Sequence, residues 1–163
     1  ERFKGQGVEA VVGPETGGII LSQWVAYHLT EIEGRQVYGV YADKDRTDGD
    51  SAEKLKFVIK RGYNDLIKGK KTLVVEDLVT TGGSLRKVVE GARAVGAEVV
   101  GAVAVCNRGG VTKEAVGNPP VFESLVTVHL EQWPEESCEL CQRGIPINTD
   151  IGHGKEYLAH KKK

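Results

Sequence analysis

Two adjacent carboxylates, Glu76 and Asp77, stand between the apolar run Leu73-Val74-Val75 and the segment Leu78-Val79-Thr80-Thr81-Gly82-Gly83-Ser84. A phosphate monoester needs several donors that converge without side-chain obstruction. A glycine loop opening a helix supplies them as backbone N–H groups at the positive end of the helix dipole. Thr80, Thr81 and Ser84 add hydroxyl donors, and Gly82 and Gly83 let the backbone wrap closely, so the loop from Val79 to Ser84 reads as a phosphate cup. The acceptor-only carboxylates beside it suit two neighbouring ribose hydroxyls and the stabilisation of positive charge on a sugar. No lysine follows the glycines, as a kinase-type P-loop requires, and the glycine spacing is not that of a dinucleotide fingerprint. An ordinary strand-turn-helix would leave the two carboxylates unexplained.

A second glycine loop, Gly13-Pro14-Glu15-Thr16-Gly17-Gly18, has the same setting, after one apolar run and before a helical one. Two anion-binding turns in one small domain suit a substrate with phosphate at both ends. Cys138-Glu139-Leu140-Cys141 has the spacing of half a zinc site, but no second pair follows, and the thiols read as buried or incidental ahead of metal ligands or a redox pair.

The elements that must position these residues follow from periodicity. Val8–Val12 reads as a buried strand closed by Gly13-Pro14, and Leu21, Trp24, Val25, His28, Leu29 and Ile32 mark one face of a helix ending before Gly34. Strands are expected at Val37–Tyr41, Phe57–Ile59, Thr72–Val75, Val99–Val105 and Val121–Leu130, with a surface loop over Ala42–Ser51 and a turn or short helix over Gly62–Lys71. After a loop at Glu76–Gly83, a helix runs from a capping Ser84 to Gly96, burying Leu85, Val88, Val89, Ala92 and Val95. Strands alternating with helices predict an α/β fold, a parallel-stranded sheet flanked by helices on both faces, with ligands at the strand C-terminal ends. Residues 1–133 form the expected core, and 134–163 a small irregular C-terminal hood of the same domain.

The 163 residues suffice for one core, and a formal charge of -1 gives no basic field for nucleic acid or a membrane surface. No apolar stretch is long enough to span a bilayer, no signal-peptide pattern opens the chain, and three cysteines make no disulfide framework, so a cytoplasmic setting is expected. With no methionine and a start at Glu1 in a charged stretch, an initiator and leading segment are expected to be missing.

The stretch Leu73–Ser84 closely resembles the signature of type I phosphoribosyltransferases that binds 5-phosphoribosyl-1-diphosphate (PRPP), and from Val8 to Arg108 the chain is most similar to the orotate branch. The resemblance implies Glu76 and Asp77 on the ribose hydroxyls, Val79, Thr80, Thr81, Gly82, Gly83 and Ser84 around the 5-phosphate, and Glu15, Thr16, Gly17 and Gly18 on the diphosphate. It makes Ala42–Ser51 the mobile catalytic loop, with Lys44 as its candidate cation beside Arg46, although Asp43 and Asp48 depart from the basic pattern of orotate enzymes. Arg108, in Cys106-Asn107-Arg108, matches the position facing the base, where a guanidinium suits a carboxylate. Mg²⁺ held mainly by the substrate, a homodimer, and an N-terminal hood segment absent here are implied as well. Transfer to another base such as a purine, and a non-catalytic PRPP-sensing regulator, stay open as alternatives.

Overall fold

The computed structural model describes residues 2–45, 56–131 and 133–161. Arg46, Asp48 and the rest of the expected mobile loop beyond Asp45 lie outside them. Six strands form one sheet in the order β3-β2-β1-β4-β5-β6: β1 (Ala10–Pro14), β2 (Tyr38–Asp45), β3 (Lys56–Val58), β4 (Lys71–Val79), β5 (Glu98–Asn107) and β6 (Phe122–Thr127). All neighbours pair in parallel except β2 and β3, which are antiparallel, so the sheet is mixed where an all-parallel one was expected.

The two central strands are buried on both faces, which is why β1 is a continuous apolar run rather than an alternating one. Even-numbered residues Ala10, Val12, Val40, Ala42 and Val74 pack with Leu85, Val88 and Val89 of helix α3 (Gly83–Ala94) and with Ile67 of the short helix α2 (Tyr63–Ile67). Odd-numbered Val11, Leu73 and Val75 pack on the other face with Ala26 and Leu29 of helix α1 (Gly17–Glu33). The pleat alternation of β4 therefore sends successive side chains to different layers, which matters for Glu76 and Asp77.

Several elements depart from the sequence expectations. Helix α1 buries Gly18, Ser22, Ala26 and Leu29, while Trp24 is 58% and Ile32 39% exposed. Small side chains let the helix lie close to the sheet, and that overrides the larger apolar face that periodicity singles out. Strand β2 continues through Lys44 to Asp45, because β3 folds back antiparallel and pairs Lys44 with Phe57. Lys44 thus sits in a strand and not in a surface loop. Strand β4 likewise runs through Glu76 and Asp77 to Val79, since β5 continues beside it and pairs Val79 with Asn107. Ser84 lies inside α3, whose N-cap is Gly82 in the left-handed region at φ 83°.

The chain divides into two compact units, Glu1–His129 and Leu130–Lys163. The second holds a 3-10 turn at Glu135–Ser137, helix α4 (Glu139–Gln142) and helix α5 (Gly154–Lys161), where the sequence suggested only irregular chain. No helix among the described residues is long and apolar enough to cross a membrane.

Candidate active site

The chain leaves β1 toward β2 on one side, whereas β4 lies on the other side of β1. That reversal opens a crevice beyond the C-terminal ends of β1 and β4, where open α/β sheets bind ligands. Both glycine loops end there. The N-cap of α1 is Thr16 and that of α3 is Gly82; neither helix has a side-chain cap or an acidic residue in its first turn. Helix starts without such caps can serve an anion.

Leu78 to Leu85 line a pocket of about 130 Å³ that contains Thr80, Thr81, Gly82, Gly83 and Ser84. Gly82 is required there twice over: its φ is positive, and an added Cβ would lie 2.8 Å from the carbonyl oxygen of Ala115. Val79 is buried in the core, and its carbonyl accepts the N–H of Arg108 at 2.8 Å, so only its main chain borders the pocket.

Asp77 points to the α1 side of the sheet. A Cβ built on Gly17 would fall 2.1 Å from its Oδ2, so the carboxylate lies directly against the first turn of α1, and its Oδ1 accepts the N–H of Leu78 at 2.6 Å. Glu76 leaves the strand on the other face but its carboxyl turns back to the Asp77 main chain, and the residue is 6% exposed. Burial is the main cause that pushes its carboxyl up to about 8; the neighbouring Asp77 side chain adds to the rise, while the Asp77 N–H, which donates to Oε1 at 3.1 Å, and the Lys44 charge oppose it. Of these two neighbouring carboxyls, that of Asp77 is exposed and that of Glu76 is enclosed.

Between the ordinary carboxyl value near 4.5 and about 8, folded Glu76 holds a proton that the unfolded chain has lost. Stability contributed by that proton is complete below the lower value and is lost as pH rises to the upper one. Glu76→Gln is expected to flatten this slope: in urea titrations from about pH 5 to about pH 9, wild type should lose roughly a few kcal/mol that the variant keeps. Parallel curves for the two proteins would show that Glu76 ionises normally.

Glu15 is engaged with the neighbouring strand. Its Oε2 accepts the N–H of Lys44 at 2.9 Å and its own N–H donates to Ala42, which ties the β1 loop to β2. Asp43 is held by Arg61, with Nε and a terminal nitrogen each 3.2 Å from a carboxylate oxygen. The crevice brings together Gly17, Asp77 and the α3 loop, and Lys44 reaches the Glu76 layer.

Two residues that sequence reasoning passed over shape the far wall. Asn107 is buried, and its side-chain amide both donates to and accepts from the main chain of Val111, at 2.9 and 3.0 Å, closing the loop that carries Arg108. Gly109 packs against the backbone of Thr80, where an added Cβ would be 2.0 Å from the carbonyl oxygen. An amide at a strand end followed by Arg-Gly-Gly was the available signal. Within this loop the Nε of Arg108 is buried without a hydrogen-bond partner, a cost that an anionic or carbonyl ligand would remove.

This crevice has two uncapped helix starts with a carboxylate between them, an arrangement that suits an anionic ligand. The chain belongs to the phosphoribosyltransferase family: a model described as a phosphoribosyl transferase domain matches residues 2–133. It is 38% identical over 147 residues to an orotate phosphoribosyltransferase of Caldanaerobacter subterraneus subsp. tengcongensis, covering 90% of this chain and 68% of that one. It is 35% identical over 145 residues to the orotate phosphoribosyltransferase of Thermus thermophilus, covering 89% and 70%. The chain spans about two thirds of the length of these relatives. Among solved structures, the adenine enzyme of Giardia lamblia complexed with 9-deazaadenine superposes with a TM-score of 0.61 at 20% identity, covering 79% of this chain and 75% of that one, a likeness of fold. The orotate phosphoribosyltransferase of Aeropyrum pernix gives 0.52 at 26% identity, covering 74% and 60%.

Proposed function

We propose that this chain transfers the 5-phosphoribosyl group of PRPP to orotate, releasing diphosphate and forming orotidine 5'-monophosphate. The observation that carries the reading is the crevice itself: two open helix N-termini flank the exposed carboxylate of Asp77. In this reading Thr80, Thr81, Gly82, Gly83 and Ser84, with the main chain of Val79, anchor the 5-phosphate. Thr16, Gly17 and Gly18 offer main-chain donors to the diphosphate, while Glu15 acts by fixing the loop and Lys44 supplies the cation. The ring nitrogen of the base attacks the anomeric carbon as the bond to diphosphate breaks; the diphosphate oxygen takes the electron pair and the nitrogen's proton passes to solvent. Positive charge accumulates on the ribose, where Asp77 stabilises it. Glu76 binds through its protonated carboxyl.

Mg²⁺ belongs to the same proposal. Among the described residues no three His, Cys, Asp or Glu side chains gather around a common point, which suits an ion held chiefly by substrate oxygens with Asp77 alongside. Such an ion would neutralise the leaving diphosphate. A cytoplasmic homodimer completes the reading; Ile20, Trp24 and Tyr27 give α1 an exposed apolar stripe for it, and sedimentation of the full chain reads the assembly directly.

Orotate is favoured over other bases by the curated relatives and by the unpartnered Nε of Arg108, which suits a carboxylate. Diphosphate release dependent on PRPP and Mg²⁺ should appear with orotate and not with uracil, adenine, guanine, hypoxanthine or xanthine. Turnover on a purine alone would overturn the substrate, and PRPP binding without turnover on any base would indicate a regulator. Arg108→Ala is expected to raise the KM for orotate by about 10- to 100-fold and that for PRPP far less. Equal rises would make Arg108 structural.

A further inference from the structure

The C-terminal unit carries a pair of thiols for which the phosphoribosyl reaction has no use. Cys138 stands at the N-cap of α4, and its Sγ accepts the N–H of Cys141 at 3.4 Å. That bond folds the first side chain over the residue from which the second thiol projects. The thiols, expected to be buried or incidental, are not buried: Cys141 is exposed and Cys138 half-buried. Both line an open groove of about 410 Å³ with Trp133, Ile147, His153 and Tyr157. A zinc ion would need further ligands, and among the described residues no third His, Cys, Asp or Glu joins the two thiols; a disulfide needs none.

We propose that Cys138 and Cys141 form a redox-active dithiol that closes to an intramolecular disulfide by exchange with a low-molecular-weight disulfide of the glutathione class. The order of events follows from the hydrogen bonds. The side chain and N–H of Cys141 both donate to Cys138 Sγ and hold that thiol below its ordinary range, against the opposing charge of Glu139. The Cys141 thiol is pushed up, chiefly by its bond to Cys138, with Glu135 adding to the rise and Lys161 opposing it. Cys138 thiolate attacks one sulfur of the small disulfide, forming a mixed disulfide as the other sulfur leaves with the bonding pair and takes up a proton. Cys141 then gives up its proton and attacks Cys138 Sγ, and the second small thiolate departs and is protonated. The two protein thiols are oxidised, and one disulfide is reduced to two thiols.

The proposal is independent of the transfer reaction and is tested on the full chain bearing Cys106→Ser, which leaves only these two thiols. The protein is equilibrated in buffers of graded oxidised and reduced glutathione, quenched with acid, alkylated and weighed. Both thiols should disappear together, with loss of two hydrogen atoms and no retained glutathione. Adding Cys141→Ser should trap a glutathione adduct on Cys138, and adding Cys138→Ser should slow reaction by about tenfold or more. A stable adduct on the otherwise intact pair would overturn the proposal. So would thiols that stay reduced where an unstructured peptide of the same four residues closes, or co-purified zinc that withholds both thiols until chelated. The measurement on the intact pair needs no substitution at either cysteine, so misfolding of a variant cannot decide it.

Discussion

Asp77→Asn is expected to lower kcat for phosphoribosyl transfer by about 100- to 1000-fold, with a much smaller change in the KM for PRPP. The substitution keeps the shape and the Oδ1 that accepts the N–H of Leu78, so the end of β4 should hold its conformation. What it removes is the negative charge beside the first turn of α1, an exposed carboxylate between the two helix N-termini. A ground-state ribose carries little charge and a departing ribosyl cation carries much, so the loss falls on the transition state. Steady-state rates with orotate, together with thermal melts of both proteins, check this. An unchanged kcat would remove Asp77 from the chemistry, and a fall in kcat matched by a lowered melting temperature would make its role structural.

Gly13→Ala should destabilise the fold by about 2 kcal/mol or more. A Cβ there would stand 2.1 Å from the carbonyl oxygen of Gly18 and 2.5 Å from its carbonyl carbon, and both are backbone atoms that cannot swing aside. The end of β1 and the first turn of α1 touch main chain to main chain, so the substitution must pry apart the loop that defines one wall of the crevice. Gly17→Ala is the informative contrast. Its Cβ would meet the Asp77 carboxylate, a side chain able to rotate, so activity should fall more than stability. Urea unfolding and kcat measured on both variants separate the cases. Wild-type stability in Gly13→Ala would mean that the end of β1 and the first turn of α1 lie farther apart than described.

The legible part of this protein is the part whose chemistry is local. Leu73–Ser84 places a strand, two acids, a donor loop and a helix start within twelve consecutive residues, so its pattern can be read without any distant contact. Apolar runs marked most of the strands and the helix α3 for the same reason, since their burial pattern is written in their own period. Where an element depended on its neighbour, the reading fell short. Lys44 became part of a strand because β3 folded back onto it. Strand β4 ran past both acids because β5 stayed alongside. In α1, the sheet accepted the face of Gly18, Ser22 and Ala26 that fits most closely, and left Trp24 outside.

The sequence alone determined the family, the donor loops and the likeness to orotate enzymes, because each rests on residues adjacent along the chain. Only the tertiary structure decided that Glu76 is enclosed while Asp77 beside it stays exposed, that Asn107 and Gly109 shape the wall holding Arg108, and that Cys138 and Cys141 meet at the surface. Burial, close approach and local charge are properties of what packs against a residue, and in this chain those neighbours come from segments that local sequence pattern does not link.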